Sequence, residues 1–207
     1  VAAQINLWVG DIEGNAEKII KASIRARDEL RADLIVFPEL ALLGYPPDDL
    51  LLRSGLPAAV ENGLNRIQRS VQGIHMVVGH RKRLLPNYGV FDEMRHFQAG
   101  SSACVFDLKG VPLGLCICED IWSPGPIDES RDQGARMILN INASPFARRK
   151  SPRREAVLKA RVEESGLPIL YVNMVGGQDD LLYDGDSAAI NAQGEIVFRA
   201  PAFEEDL

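Results

Sequence analysis

VPLGLCICEDIW, Val111 to Trp122, is the stretch on which the reading of this chain turns. A nearly unbroken apolar run ends in two cysteines spaced two apart, and two acids follow at once. An apolar run of this length, bounded by turn signals, reads as a strand buried on both faces. Such strands belong to sheets whose faces are covered by helices. Just upstream, Ser102–Leu108 and the Lys109-Gly110 turn signal make this strand the second arm of a hairpin.

The same pattern spreads in both directions. Toward the N-terminus, Ala2–Leu7, Leu34–Phe37 and His75–Gly79 read as strands, and Pro38 ends the second of them. Asn15–Arg31 and Ala58–Val71 read as amphipathic helices, with Asn15 as the N-cap of the first. Toward the C-terminus, Met137–Ile141, Ile169–Val175, Ser187–Asn191 and Ile196–Arg199 read as strands. Asp128–Gly134 and the charged Arg153–Glu164 read as helices, the latter stopped by Gly166 and Pro168. There is no internal repeat and no low-complexity linker, so residues 1–207 read as one α/β domain.

Composition narrows the function. Hydrophobic content is 46% and charged content 25%, ordinary for a globular protein, and a net charge of -6 argues against a nucleic-acid partner. The three cysteines carry no zinc-type spacing and no disulfide framework, which points to a reducing compartment. The first residues lack the basic and apolar regions of a signal peptide, and no apolar run is long enough to span a bilayer. The expectation is a cytoplasmic protein with no membrane partner.

Three reactive residues stand just past strand ends: Glu39 after LIVFP, Lys82 after MVVGHR, and Cys118 after VPLGLCI. Together they suit attack on an amide or nitrile carbon. The thiolate is the nucleophile, a glutamate can remove its proton and later activate water, and a lysine can hold the developing oxyanion. Strand alternation predicts that Cys116 and Cys118 share a face but differ in depth. Cys116 lies within the apolar run, where burial raises a thiol pKa, so Cys118 at the exit is the candidate nucleophile. The adjacent Glu119 and Asp120 would oppose a thiolate unless they point elsewhere. Cys104 reads as structural, as do His75, His80 and His96.

FPEL (Phe37–Leu40), K-x-x-L-P-N-Y (Lys82–Tyr88) and CICEDIW (Cys116–Trp122) resemble the Glu–Lys–Cys motifs of the nitrilase superfamily. VGDIEGN (Val9–Asn15), GYPPDDLL (Gly44–Leu51), LPNYGVFDE (Leu85–Glu93), NASPF (Asn142–Phe146) and VGGQDDLLYDG (Val175–Gly185) narrow the resemblance to the amidase domain of glutamine-dependent NAD synthetases. It runs nearly end to end. The resemblance implies a nitrilase-like α-β-β-α four-layer sandwich, usually assembled as a homo-oligomer. It implies hydrolysis of L-glutamine through a glutamyl thioester on Cys118, with Glu39 as base, Lys82 at the oxyanion and Glu93 orienting the lysine. Tyr88, Ser144 and Lys150 match the glutamine-contacting positions, and Glu119 and Trp122 are expected to line the pocket. No S-G-G-x-D-S loop occurs, so ATP and Mg are expected only in a synthetase domain that this chain lacks. No cofactor or metal is expected in the 207 residues themselves.

Two other readings compete: a stand-alone amidase for another small amide, and an inert assembly domain. The second has a specific motive. The family carries a strand–turn–strand insert before the catalytic lysine, whereas here His80 runs straight into Arg81-Lys82-Arg83. A strand leaving its sheet at Gly79 is expected not to deliver Lys82 to the right face over so short a path, which points to a segment omitted before Lys82. The basic residues Arg148-Arg149-Lys150 with Arg153-Arg154 read mainly as a solvated face, with only Lys150 given a pocket role, and GGQD (Gly176–Asp179) reads as a tight turn near the site.

Overall fold

The computed structural model describes all 207 residues. Helix α1 (Ile12–Asp28) leads to strand β1 (Leu34–Val36), helix α2 (Leu56–Ser70) and strand β2 (His75–Val77). The hairpin β3 (Cys104–Leu108) and β4 (Val111–Ile117) follows, then α3 (Pro126–Asp132), β5 (Met137–Asn142), α4 (Lys150–Ser165) and β6 (Ile169–Asn173). The chain ends with β7 (Val175–Gln178), β8 (Leu181–Asp184), β9 (Ala188–Ile190) and β10 (Ile196–Arg199). Six strands form one sheet in the order β10-β9-β6-β5-β4-β3, with β4, β5 and β6 parallel. Strands β1 and β2 pair in parallel in a second sheet.

Side-chain alternation sorts the core into three layers, which makes the four-layer sandwich. Ile35 and Phe37 face α1 and α2, while Val36 points the other way, toward Leu115, Ile117, Leu139 and Val172 of the large sheet. On that sheet's far side, Ile138, Ile169 and Tyr171 pack against Leu158 and Val162 of α4 and Ile127 of α3. The period of two thus places each strand between two apolar layers. Each fully buried aliphatic chain in the layer between the sheets contributes roughly 1.5–3 kcal/mol. Gly114 is required where α3 crosses β4, because a Cβ there would lie 2.8 Å from Ile138 Cδ1 and 2.9 Å from Ser130 Cβ. Lys109 and Gly110 both take positive φ, the two-residue turn that suits a twisted hairpin.

Several expected elements shift. The N-cap of α1 is Asp11, whose carboxylate accepts from the Gly14 N–H at 2.9 Å. Asn15 instead lies inside the helix, its amide bonded to the backbone of Trp8 and Leu42. Ala2–Leu7 forms no regular strand. It runs extended between two neighbours, touching Val36 on one side and Asp206 on the other. VGGQ is not a tight turn but strand β7, and the reversal falls on Asp179-Asp180.

Candidate active site

Glu39 leaves β1 through Pro38 and is buried. Its Oε2 accepts the N–H of Ala143, just past β5, at 3.1 Å, so the residue bridges the two sheets. Its Oε1 accepts from Lys82 Nζ at 2.9 Å. Lys82 also donates to Glu93 Oε1 at 2.7 Å, and Tyr45 OH donates to the same oxygen at 2.9 Å. One ammonium thus serves two carboxylates, all of them at most 8% exposed. Burial opposes the Lys82 charge, but Glu39, Cys118 and Glu93 outweigh it and hold its pKa above the usual lysine value. Burial, then the neighbouring Glu39 charge, raise the pKa of Glu93.

The short path to Lys82 was expected to strand it on the wrong face, and the structure overturns that. Continuous backbone through Val78-Gly79-His80-Arg81 brings Lys82 to Glu39 and Glu93. Asp120 holds it there. Its Oδ1 accepts the N–H groups of Arg83 at 3.0 Å and Leu84 at 2.7 Å, while its Oδ2 accepts from Ile117 N–H at 3.0 Å. The lysine segment and the cysteine segment are therefore tied through one buried carboxylate. A bidentate pair between Arg83 and Glu129 fastens the same segment to α3. This is why acids follow the strand at once: Asp120 turns back to tie two loops together and Glu119 turns outward. Replacing Asp120 by alanine is expected to lower unfolding free energy by about 2 kcal/mol, because the Ile117 N–H loses its partner within the core. It is also expected to slow alkylation of Cys118 by about 100-fold through misplacement of Lys82. Urea unfolding and timed mass spectrometry measure the two.

The two cysteines do not share a face. Cys116 packs with Tyr171 and Ile127 on the helix side of the sheet, while Cys118 joins Val36 and Ile141 between the sheets. Strand β4 stops at Ile117, and Cys118 begins a short 3-10 turn with φ of 43°. That left-handed backbone costs a non-glycine residue of order 1–3 kcal/mol and re-aims the sulfur. Burial raises the Cys118 thiol pKa, with Glu39 and Glu93 adding to it and Lys82 and Lys150 opposing it. The group rests as a thiol and needs a base during attack. Burial and the Asp120 charge push Cys116 up to about 12.

The remaining candidates range from the exposed Tyr88 to the buried Ser144. Tyr88 OH donates to Glu119 Oε2 at 2.8 Å, and burial plus this bond raise its pKa to about 12. Ser144 is buried, its N–H held by Asn173 Oδ1 at 2.8 Å. Lys150 Nζ donates to the Pro145 carbonyl at 2.8 Å and lies 6.0 Å from the Trp122 ring centre. Burial lowers its pKa, with Cys118 and Asp184 working against that and Arg154 with it. Sequence reading missed three residues. Tyr45 and Asp120 both lay in quoted motifs without a role. Arg153, taken as part of the solvated face, sits with its guanidinium 5.3 Å from the Trp122 ring.

The chain matches the sequence profile of the carbon-nitrogen hydrolase family over residues 1–79 and again over 72–207. The two matches overlap where the short link to Lys82 begins. The glutamine-dependent NAD(+) synthetase of Xylella fastidiosa (strain Temecula1 / ATCC 700964) is 43% identical over 229 aligned positions, covering 98% of this chain and 42% of that protein. The corresponding protein of Aquifex aeolicus (strain VF5) is 37% identical, covering 99% and 40%. Among solved structures, the glutamine-dependent NAD+ synthetase from Acinetobacter baumannii, in complex with ADP, superposes with a TM-score of 0.94 at 37% identity, over 99% of this chain and 43% of that one. A Nesterenkonia AN1 amidase of the nitrilase superfamily shares the fold, with a TM-score of 0.82 at 23% identity over 99% and 86%. The chain spans about 42% of the length of the curated relatives it matches. With the profile matched from the first residue to the last and the sandwich superposing on solved members, this chain belongs to the carbon-nitrogen hydrolase family.

Proposed function

We propose that the chain hydrolyses the side-chain amide of glutamine to glutamate and ammonia. The observation that carries this reading is the buried ammonium of Lys82 held between Glu39 and Glu93, its charge opposing the rise in the Cys118 thiol pKa. The relatives that share 43% and 37% of its residues are named as glutamine-dependent NAD(+) synthetases, which supports the choice of amide. Residues 1–207 then form one glutaminase domain, and its ammonia feeds the ATP-dependent amidation of deamido-NAD in a synthetase domain of a longer protein.

The chemistry follows from the arrangement of these groups. Glu39 takes the thiol proton as sulfur attacks the amide carbon. The oxyanion meets Lys82 and the Glu119 N–H at the start of the 3-10 turn. Glu39 returns its proton to the departing nitrogen, ammonia leaves, and a thioester remains on Cys118. Water, deprotonated by Glu39, then releases glutamate and restores the thiol. Lys150 meets the substrate carboxylate, and Tyr88, Glu119, Trp122 and Ser144 line the pocket.

Comparing glutamine, asparagine and an aliphatic amide tests the reading. Glutamine should turn over at least about 100-fold faster by kcat/KM, since unmatched polar groups in such a pocket cost several kcal/mol. Equal turnover of the aliphatic amide would instead mark a general amidase. Lys150→Met is expected to raise KM for glutamine by about 10- to 100-fold with kcat nearly unchanged, the signature of lost ground-state binding.

A further inference from the structure

A cavity of about 170 Å³ lies behind the Glu39–Lys82–Glu93 group, where the chain leaves β2. Glu39, Lys82 and Glu93 form one wall, but Cys118, Ser144 and Lys150 do not reach it. Val78, Phe97, Ile117 and Ile141 give it an apolar side, while His80, Arg81 and Gln98 add polar groups to the lining. Its place is close to the departure from relatives: the two family-profile matches meet and overlap at residues 72–79, and the Xylella alignment runs to 229 positions, more than the 207 residues of this chain. That relative therefore carries residues that this chain lacks, and the cavity lining includes Val78 and Gly79 from the segment where the two profile matches meet.

Two features make this space a site. Glu93 is 5% exposed, and its Oε2 has no hydrogen-bond partner, although Oε1 accepts twice. A buried acceptor left unpaired is costly. The two carboxylates also share a single ammonium, which leaves a formal excess of one negative charge in the core. The mouth adds little to offset it. Arg81 also lines the cavity, but it is exposed and its charge is screened by water, and burial, then Arg83 and Arg81, lower the His80 pKa and disfavour a charge on that ring.

We propose that this cavity is a second binding site, for a compact primary alkylammonium ion whose nitrogen donates to Glu93 Oε2 and whose chain lies against Phe97, Ile117 and Ile141. The volume fits such a molecule, since a cavity of about 150 Å³ is known to hold benzene. This site stands whatever amide the enzyme hydrolyses.

Calorimetric titration of the whole chain with butylammonium chloride tests it, with butanol and butyrate as isosteres. The expected result is saturable one-to-one binding of the amine, with butanol about tenfold weaker or worse because it lacks the charge-assisted bond. Gly79 lines the cavity, and a Cβ there meets nothing within 4 Å, so Gly79→Leu can be accommodated and should fill the space. It should weaken amine binding at least about tenfold while leaving binding of glutamine intact. Val78→Phe gives a second plug if the first variant folds poorly. Protein alkylated at Cys118 should still bind the amine. No saturable binding, equal binding of butanol, or binding lost on Cys118 alkylation yet kept in both plugged variants would overturn the proposal.

Discussion

Replacing Cys118 by alanine is expected to lower glutamine turnover by roughly 10⁴- to 10⁶-fold, the range seen when a nucleophile is removed from a group that acts as a unit. No other thiol can substitute. Cys116 faces the helix side of the sheet, and Cys104 sits on β3 at the sheet edge. The stability effect should run the other way for one variant. Cys118 holds a φ of 43°, which glycine adopts without strain. Cys118→Gly should therefore be more stable than Cys118→Ala by about 1 kcal/mol, despite its extra backbone freedom when unfolded. Thermal melts of both variants, read beside glutamate release, separate the geometric cost of the nucleophile from its chemistry. Alanine and glycine variants of equal stability would show that the left-handed turn carries no strain.

Removing the shared cation should have the largest effect on folding. In Lys82→Met, Glu39 and Glu93 remain buried with no counter-charge between them. Breaking a buried ion pair from one side typically costs about 3–5 kcal/mol, and that loss is expected at neutral pH. Its pH dependence has a definite sign. Two unpaired buried carboxylates take up a proton more readily than in the unfolded chain, so their folded pKa lies above the unfolded value of about 4.3. Such groups favour the fold below the unfolded pKa, and that contribution is lost as pH rises through the folded pKa. The deficit relative to the parent should therefore shrink between about pH 8 and about pH 5. Urea unfolding at both values measures it, and an equal deficit at each would contradict the ion-sharing picture. Lys82→Met should also lose turnover, because the oxyanion then has no cation.

How much of this could be read from residue order depends on how local the signal is. Sequence reading found the strands β4, β5 and β6 because they are largely buried and mainly apolar. Glu39, Lys82 and Cys118 were legible as reactive groups past strand ends and Glu93 only through the family resemblance, and the structure brings the two glutamates onto Lys82. The misreadings have physical causes. Alternation fails for Cys118 because its positive φ ends the period before the residue is reached. The short link fails as an objection because side-chain clamps, not sheet pairing, carry the lysine: Asp120 and Glu129 hold Arg83 and Leu84 from distant parts of the chain. Gln4 and Asp206 meet across nearly the whole sequence, a contact no local pattern encodes. Tyr45 shows the same limit, since its partner Glu93 lies far along the chain.

The central claim is that one continuous chain, with its short link intact, assembles a working thiol beside a shared lysine. Intact-mass and peptide mass spectrometry after treatment with a diazo-ketone analogue of glutamine tests this most directly. The account predicts a single adduct on Cys118, blocked by excess glutamine and nearly absent in Lys82→Met. An unmodified protein, or an adduct on Cys104 or Cys116 that glutamine does not protect, would contradict it.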